Sequence, residues 1–456
     1  MDQLFAAIDN NTDRFLDELK QLLRLSSISA ASEEKQTMVD TAQWLVDHLK
    51  AIGVAEAEVC PTAGHPVVFA QHPGPAGAPT VLIYGHYDVQ PVDPLDLWTT
   101  PPFEPEIRDG KIWGRGTTDD KGQLFCHLKA LETILRDKGE LPVTVKMIFE
   151  GEEEIGSPSL AEFIAANRER LACDVVLVSD TSMYAKGTPS IQYGLRGLVY
   201  FQVDVEAAKG DLHSGSYGGG VADPINVAAQ ILASMHDENH RIAIDGVYDD
   251  VLELTPEDQK AYDALPYSED DFLDETGAPT TYGEKGFSPP VRMSARPSLD
   301  ANGIWGGFAG EGAKTVLPAK AGFKVSMRLV PNQDPQKIAA AFRKHVEKVA
   351  PDAVRVKITE FTSGPPFICP LDEPALQKAA QALARVFGKD CLYTREGGSI
   401  PIVSEIAAAL SSPVILMGFG LNSENAHAPD EHFDLDNFVA GIKTSIVYLH
   451  LLADQG

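Results

Sequence analysis

The sequence predicts an α/β fold with a mostly parallel central sheet, interrupted by an inserted α+β domain. Apolar, strand-like runs alternate with helical patterns over about the first 200 residues, as in βαβ units. From about Gly197 the strands alternate apolar and polar residues, which suits a sheet with one open face. After about residue 363 the alternation of apolar, strand-like runs with helical patterns returns. The predicted domain therefore comprises 1–197 and 363–456, and 198–362 form the insertion.

Composition limits the classes of function. The chain has 456 residues, 44% of them hydrophobic and 23% charged, which is globular composition at a length that favours two domains. The net charge of -28 argues against nucleic-acid binding, because phosphate contacts need clustered Lys and Arg. It favours cationic partners, metal ions included. No apolar run approaches the length of a membrane span, so no membrane association is expected.

The cysteines and the N-terminus predict a cytoplasmic protein. The five cysteines are odd in number and widely spaced, which indicates neither a disulfide framework nor a CxxC metal site. Residues 1–27 are acidic and carry the apolar spacing of an amphipathic helix, without the basic start and continuous apolar centre of a secretion signal.

The elements of the first domain follow in order. After the N-terminal helix, "TVLIYGHYDV" (80–89) predicts a buried strand, and 122–135 predict a helix with one apolar face, formed by Leu124, Leu128, Leu131 and Leu135. "VTVKMIF" predicts the next strand, "SLAEFIAANRERL" another helix and "CDVVLVSD" another strand. Near the C-terminus, "EPALQKAAQALARVFG" is typical of a helix and "PVILMGF" of a strand.

The inserted domain has a different pattern. "GLVYFQVDVEA" predicts a half-exposed strand and "DPINVAAQILASM" a helix, and a strand, a helix and a strand follow from "AGFKVSMRLVP" to "VRVKITEF". This set predicts a small ferredoxin-like α+β sandwich. Residues 240–300, here called the acidic excursion, are polar and acidic and should form surface helices and loops.

Polar residues follow directly on several predicted strands or lie just before a helix. Ligands gather beyond the carboxyl ends of strands in open α/β sheets. Each residue alone has an ordinary explanation, as a hydrogen-bonded structural histidine or as an aspartate in a turn or helix cap. Together they should converge, and convergent carboxylates repel one another unless a cation lies among them. The set is His86, Asp88, Asp119, Asp120, Glu153, Glu154, Asp180 and His427.

Two histidines with three or more carboxylates fit two divalent metal ions. Each ion could take one imidazole and one terminal carboxylate, with one aspartate bridging the pair. Mixed nitrogen and oxygen ligands favour zinc, manganese and cobalt also fit, and calcium is the weaker option because imidazole binds it poorly. Asp88 could orient the imidazole of His86 through its other ring nitrogen, or it could be a turn residue.

Several segments resemble one enzyme family in order along the chain. They include "GHYDVQP", "WGRGTTDDKG", "EGEEEIGS", "DLHSGSYGG", "SMRLVPN", "REGGSIP" and "ENAHAPDE". These segments are similar to those of the dinuclear-zinc exopeptidases of the aminoacylase and carboxypeptidase G type, and most of all to the carnosinase and cytosolic nonspecific dipeptidase branch. The resemblance runs from about residue 80 to 432 and implies a zinc-exopeptidase-like catalytic domain interrupted by a lid and dimerisation domain.

The resemblance implies a role for each metal-site residue. His86 and Asp180 would hold one metal, Glu154 and His427 the other, and Asp119 would bridge them, with a cis peptide bond between Asp119 and Asp120. Glu153 would be the general base, taking a proton from a metal-bridging water as it attacks the scissile carbonyl. Two ambiguities remain in the sequence: His432 rivals His427 as a ligand, and Glu152 adds a third adjacent carboxylate.

The resemblance also implies substrate contacts from the insertion and from the "REGGSIP" segment. His213 would reach the active site of a partner subunit in a homodimer and polarise the substrate carbonyl. Arg328 would bind the substrate carboxylate, together with Ser399 and the backbone at Gly397 and Gly398. Thr315 would contribute across the dimer.

The function implied is hydrolysis of dipeptides or short peptides with a free C-terminal carboxylate. One alternative keeps the dinuclear site but changes the substrate, as in N-acyl amino acid deacylases, desuccinylases or carboxypeptidases. A second is a non-catalytic metal-binding protein on the same fold, against which the presence of a general base argues.

Overall fold

The structure is a computed structural model that describes residues 1–398 and 400–454, and it divides into two compact units. The first unit comprises Met1–Tyr193, Cys369–Thr394 and the chain from Glu405 onwards. The second comprises Gly194–Ile368 and Arg395–Ser404. Sequence analysis assigns residues 395–404 to the catalytic domain, whereas in the structure they belong to the second unit. Within the described residues, no helix combines the length and apolarity that crossing a bilayer requires.

The helices are numbered in chain order. They are α1 (Asp2–Leu23), α2 (Lys35–Ala51), α3 (Lys121–Lys138), α4 (Leu160–Ala166), α5 (Arg168–Leu171), α6 (Ser214–Tyr217), α7 (Pro224–Ala233), α8 (Pro256–Asp263), α9 (Glu269–Thr276), α10 (Pro289–Ser294), α11 (Pro335–Val349), α12 (Pro374–Phe387), α13 (Pro401–Leu410) and α14 (Leu435–Ala453).

The strands are numbered in the same way. They are β1 (Glu56–Cys60), β2 (Val67–His72), β3 (Thr80–His86), β4 (Glu106–Arg108), β5 (Lys111–Trp113), β6 (Thr144–Glu150), β7 (Val175–Val178), β8 (Ser182–Met183), β9 (Ser190–Leu195), β10 (Gly197–Glu206), β11 (Leu212–His213), β12 (Ser298–Gly306), β13 (Val316–Leu317), β14 (Lys320–Leu329), β15 (Arg355–Gly364), β16 (Phe367–Ile368), β17 (Leu392–Glu396), β18 (Val414–Leu416), β19 (Gly420–Leu421) and β20 (His432–Asp434).

The central sheet of the first unit is mixed. Its strand order runs β1-β2-β6-β3-β7-β18-β9. The neighbours among β6, β3, β7 and β18 pair in parallel, whereas β1, β2 and β9 pair antiparallel with their neighbours. The predicted α/β fold is confirmed; the central sheet is mixed rather than mostly parallel, because its parallel pairs at the centre are flanked by antiparallel strands. Because parallel strands end on the same side, the loops after β6, β3, β7 and β18 leave the sheet at one edge.

Helix α1 confirms its predicted apolar face. The seven apolar positions that recur along it are all buried: Leu4, Ile8, Phe15, Leu16, Leu19, Leu22 and Leu23. Helix α3 differs from its prediction of one apolar face, because Lys121–Ile134 are buried all round while Leu135 is only half-buried. The cause is packing on several sides, since α3 contacts β3, α1 and α14. A helix covered in this way has no solvent face.

The second unit contains the predicted ferredoxin-like sandwich. Strands β10, β12, β14 and β15 alternate with α7 and α11 in a β-α-β-β-α-β order, and they form an antiparallel sheet in the order β12-β14-β10-β15. Alternate residues of β10 are buried, and Phe201 stacks on Phe342 of α11 with ring centroids 4.2 Å apart. The acidic excursion forms α8, α9 and α10, as surface helices were predicted there, and a small apolar cluster of Tyr262, Val291 and Ala295 lies beneath them.

Candidate active site

Five predicted ligand residues converge in the first unit. His86 ends β3, Asp119 lies just before α3, Glu154 belongs to a 3₁₀ turn (Glu153–Ile155) that follows β6, Asp180 follows β7 and His427 lies in the loop between β19 and β20. Two groups could each hold a metal ion, one formed by His86, Asp119 and Asp180, the other by Asp119, Glu154 and His427. Within each group the ligand atoms lie within 4.8 Å of one another.

Asp119 belongs to both groups because its two oxygens face different histidines. Oδ1 lies 3.0 Å from Nε2 of His86, and Oδ2 lies 2.8 Å from Nε2 of His427. The terminal carboxylates lie on opposite sides, with Asp180 Oδ2 3.7 Å from Nε2 of His86 and Glu154 Oε2 3.2 Å from Nε2 of His427. This arrangement can offer one imidazole, one terminal carboxylate and a shared aspartate to each of two cations. The peptide bond between Asp119 and Asp120 is cis, which confirms that expectation.

The electrostatics of the cluster fit a cation site. Burial opposes protonation of His86, yet hydrogen bonds to Asp119, Asp180 and Asp88 raise its pKa well above the usual value. Hydrogen bonds to Asp119 and Glu154 raise the pKa of His427 to about 10. The surrounding carboxylates favour positive charge on the two imidazoles, and divalent cations held by these groups can supply that charge in place of protons.

Glu153 and Glu154 occupy the turn that follows β6. Burial raises the pKa of Glu153 well above its usual value; His86 opposes the shift, and the charges of Asp180 and Glu154 add to it. Burial also raises the pKa of Glu154. Glu153 therefore lies within the electrostatic field of the ligand cluster and can hold a proton there.

Asp88 is placed so that it contacts both a histidine and this turn. The carboxylate Oδ1 of Asp88 lies 3.4 Å from Nδ1 of His86, and the carbonyl oxygen of Asp88 is 3.1 Å from the same nitrogen. The backbone N–H groups of Glu153 and Glu154 donate to the two carboxylate oxygens at 3.2 and 3.0 Å. Asp88 therefore contacts both the turn and His86, and its backbone carbonyl is nearer to Nδ1 of His86 than its carboxylate is.

Glu152 and Glu150 have structural partners instead. Glu152 accepts hydrogen bonds from the backbone N–H groups of His65 and Ser159, at 2.8 and 3.0 Å. Glu150 accepts hydrogen bonds from the Tyr84 and Ser157 hydroxyl groups, at 2.7 and 2.8 Å. Of the carboxylates in "EGEEE", only those of Glu153 and Glu154 remain for chemistry at the cluster.

His432 lies outside both ligand groups. Its ring packs on Trp113, with centroids 4.2 Å apart, and its Nε2 lies 2.9 Å from Nζ of Lys111. Its Nδ1 lies 2.9 Å from the carbonyl oxygen of Asp430. His427 instead has a positive φ of 62°, and 55% of its side chain is exposed.

Glu431 is a site residue that the sequence reasoning missed. Its carboxylate accepts the backbone N–H groups of Gly116, Thr118 and Asp119 at 2.9, 3.0 and 3.2 Å. It also accepts a hydrogen bond from Nη1 of Arg115 at 2.8 Å and is fully buried. Glu431 therefore fixes the loop that carries Asp119 to the loop that carries His427. The sequence feature that could have identified Glu431 is the glutamate at the end of "HAPDE".

Two further polar residues support the cluster and were also missed. Glu424 accepts the Thr118 hydroxyl at 2.6 Å and is buried. Gln90 Nε2 donates to Oε2 of Glu154 at 2.7 Å. Neither residue has a sequence pattern that distinguishes it from ordinary polar positions, because its importance comes from a contact distant in sequence.

The predicted substrate residues of the second unit lie at two places. His213 ends β11 and is exposed, and Thr315 is beside it because its carbonyl accepts the N–H of Ser214 at 3.2 Å. Arg328 lies on β14, opposite Leu198 of β10 and Ser298 of β12.

The "REGGSIP" segment belongs to the same unit. The carbonyl of Gly398 accepts the N–H of Arg196 at 3.1 Å, and the N–H of Gly398 donates to Oε1 of Glu396 at 3.3 Å. Ser399, the predicted hydroxyl contact for the substrate, lies outside the described residues.

Comparison with known proteins places this site in a family. The model of peptidase family M20/M25/M40 matches residues 82–450. A Cys-Gly metallodipeptidase of Schizosaccharomyces pombe is 34% identical to this chain, in an alignment that covers 99% of this chain and 98% of that protein. The crystal structure of human carnosine dipeptidase 1 has a TM-score of 0.81 at 28% identity, with 99% and 98% of the two chains covered. The M20 family metallo-carboxypeptidase Sso-CP2 of Sulfolobus solfataricus has a TM-score of 0.84 at 33% identity, with 96% and 99% covered. With a family model that matches most of its length and these relatives across nearly all of it, the chain belongs to peptidase family M20/M25/M40.

Proposed function

We propose that the protein is a metal-dependent dipeptidase that hydrolyses dipeptides or short peptides with a free C-terminal carboxylate. Membership of the family makes it a hydrolase that acts on peptide bonds. The observation that carries the proposal is the placement of Asp119 between His86 and His427, with Glu153 in the field of the same cluster. Glu153 lies at the cluster but belongs to neither ligand group, which is the position that a general base requires and that a binding protein does not.

The residues that would hold two ions are those of the two groups. His86 and Asp180 would bind one, Glu154 and His427 the other, and Asp119 both. The mixture of imidazole and carboxylate favours zinc, and manganese and cobalt also suit these donors. Bound ions would polarise the scissile carbonyl and make water a stronger nucleophile at neutral pH.

Glu153 would move the proton. Its carboxylate would accept a proton from the attacking water and deliver it to the nitrogen of the leaving amine. The carboxylate of Asp88 holds the N–H groups of Glu153 and Glu154, so it would keep the base and a ligand in one fixed geometry. Gln90, hydrogen-bonded to Glu154, would restrict the rotation of that ligand.

The second unit would bind the substrate. Arg328 would pair with the substrate carboxylate, and Gly398 and Ser399 would add backbone and hydroxyl donors. His213 and Thr315, adjacent in the same unit, would act in trans in a homodimer, where His213 would polarise the substrate carbonyl. Closure of the inserted lid would exclude water.

The substrate class follows from the relatives. The Schizosaccharomyces pombe relative is named for Cys-Gly, and a human relative, 29% identical over 97% of this chain, is named a Beta-Ala-His dipeptidase; Cys-Gly and β-Ala-His are both dipeptides with a free carboxylate. Carboxypeptidase activity is the second candidate, because the Sulfolobus protein at 33% identity is named a metallo-carboxypeptidase. We also propose a cytoplasmic location, which the unpaired cysteines favour.

A substrate panel tests the proposal. The purified protein is loaded separately with zinc, manganese and cobalt and assayed on Cys-Gly, β-Ala-His, longer peptides, N-acyl amino acids and C-terminally amidated dipeptides. We expect cleavage of the dipeptides and little cleavage of the amides. A preparation that binds two metal ions per chain but cleaves none of these compounds would contradict the proposal.

A further inference from the structure

A tight turn at Glu396–Gly398 in the second unit is held from several sides. Oε1 of Glu396 accepts the N–H groups of Gly397 and Gly398 at 2.7 and 3.3 Å. Arg196 donates from its backbone N–H to the carbonyl of Gly398 at 3.1 Å and from Nε to the carbonyl of Gly397 at 3.0 Å. The N–H and carbonyl groups of Gly397 and Gly398 are thus all hydrogen-bonded, either to the side chain of Glu396 or to Arg196, which directly precedes β10.

The acidic excursion is in close contact with this turn. A Cβ atom added to Gly397 would lie only 2.7 Å from the carbonyl oxygen of Met293 in α10, and 3.1 Å from Nη2 of Arg196. Backbone of the excursion therefore abuts backbone of the turn, with no room for a side chain between them.

A buried ion pair joins the excursion to the residue before the turn. The guanidinium of Arg395 contacts Oδ1 of Asp258, and their side chains are only 7% and 9% exposed. The other oxygen of Asp258 accepts the N–H and hydroxyl of Thr255 at 3.0 and 2.9 Å, which forms the capping box of α8. Both carboxylate oxygens are therefore committed, and the start of α8 fixes where Arg395 lies.

The excursion is itself cohesive enough to act as a support. Tyr262 of α8 shares a hydrogen bond of 2.6 Å with Ser294 of α10. Arg296 binds the carboxylate of Glu284 through two parallel hydrogen bonds of 2.9 and 2.8 Å. An element held together in this way, which contacts Gly397 and pairs with Arg395, restricts the positions that the turn can adopt.

We propose that the acidic excursion is a positioning element for the turn Glu396–Gly398, and that Asp258 is a positioning residue for recognition of the substrate carboxylate. This rests on the proposed function, in which Gly398 and Ser399 contact that carboxylate. Asp258 does not touch the substrate; it acts through Arg395. Its loss lets the turn shift, which weakens substrate binding more than it slows the chemical step.

The experiment compares Asp258→Asn with Asp263→Asn, a matched change at an exposed position of the same helix. For a dipeptide, Asp258→Asn raises KM about tenfold with kcat changed by less than about twofold, and Asp263→Asn resembles the parent. For the matching dipeptide amide, which lacks the carboxylate and is cleaved slowly, the residual kcat/KM is the same in the parent and both variants.

A second variant separates positioning from stability. Asp258→Asn removes the negative charge that faces the buried guanidinium of Arg395 and lowers Tm, whereas Asp258→Asn with Arg395→Met removes both charges and recovers most of the Tm. We expect KM for the dipeptide to stay raised in this double variant. If KM is unchanged in Asp258→Asn, or returns to the parent value together with Tm, the inference is wrong while the function stands. A parent protein that cleaves no dipeptide overturns the function and the inference with it.

Discussion

At the scale of the residue, neighbouring carboxylates of one short segment have separate tasks. Glu152 holds two backbone N–H groups, Glu153 lies in the field of the ligand cluster and Glu154 faces His427. Composition cannot separate them, because all are glutamates in an acidic chain. What separates them is the direction in which a 3₁₀ turn points each side chain at the end of a parallel strand.

Substituting the proposed base tests this division. Glu153→Gln keeps the shape of the side chain but cannot accept a proton, so kcat should fall by about 10²- to 10⁴-fold while two metal ions remain bound. Glu152→Gln is the matched control, and it should lower thermal stability with kcat close to that of the parent. Steady-state kinetics and metal analysis measure both variants. Equal turnover in Glu153→Gln and the parent would move the base elsewhere.

The two rival histidines give a second test at this scale. His427→Ala removes a nitrogen that faces both Asp119 and Glu154, so the protein should bind fewer than two metal ions after dialysis against dilute zinc. His432→Ala removes a ring that packs on Trp113, so it should retain both ions. Elemental analysis of the two purified variants reports the stoichiometry, and a full complement of metal in His427→Ala would exclude that ligand assignment.

At the scale of the element, the sequence predicted what depends on local pattern. The buried face of α1, the four parallel strands and the alternation of β10 all follow from apolar spacing. The all-round burial of α3 does not follow from apolar spacing, because it depends on α14, which lies far along the chain. The role of Glu431 could not be predicted for the same reason, because its partners precede it by more than 300 residues. Most of the proposed ligands were predictable because they lie at or just after the end of a strand, whereas Asp119 lies just before a helix.

The loop that carries Asp119 offers a test of support by one element for another. Glu431→Gln replaces an acceptor of four hydrogen bonds by an amide with one acceptor oxygen, so some N–H groups of the loop lose their partner. Metal affinity should fall about 10- to 100-fold, measured by competition with a chelator of known affinity. The matched variant Glu33→Gln, at an exposed residue, should leave affinity unchanged. Parent-like affinity in Glu431→Gln would show that the loop holds itself.

At the scale of the whole molecule, the proposed homodimer predicts complementation. A His213→Ala subunit would lack the histidine that serves its partner, and a Glu153→Gln subunit would lack its own base. Mixing the two under conditions that exchange subunits should restore activity at those sites where an intact Glu153 meets an intact His213. Each variant mixed with itself is the control. Hybrids that form without any recovery of activity would exclude action in trans.

Stability of the first unit should depend on pH through His127. Its ring lies between the Ser179 and Ser445 hydroxyls at 2.8 and 3.0 Å, and burial lowers its pKa to about 3. Below the usual histidine pKa the unfolded chain binds a proton that the native protein does not. The free energy of unfolding should therefore fall by about 2 kcal/mol from this residue between pH 7 and pH 5.

A matched variant isolates that contribution. His127→Gln remains neutral over this range, so its unfolding free energy should fall less between pH 7 and pH 5 than that of the parent. Urea unfolding of both proteins in the metal-free form measures the difference. Parallel pH dependence in the two would show that His127 is protonated in the native protein.

The packing of α3 against α14 has a consequence for how the chain is made. A ribosome adds on the order of 10 residues per second, so roughly half a minute separates the release of Lys138, at the end of α3, from that of Leu435, at the start of α14. During that interval the apolar surface of α3 that α14 will cover stays open, and β15, the last strand of the sandwich, is synthesised before the interval ends. The sandwich thus begins later in the sequence than the central sheet but is completed earlier. The part of α3 that is still uncovered is the surface that chaperones should bind during synthesis.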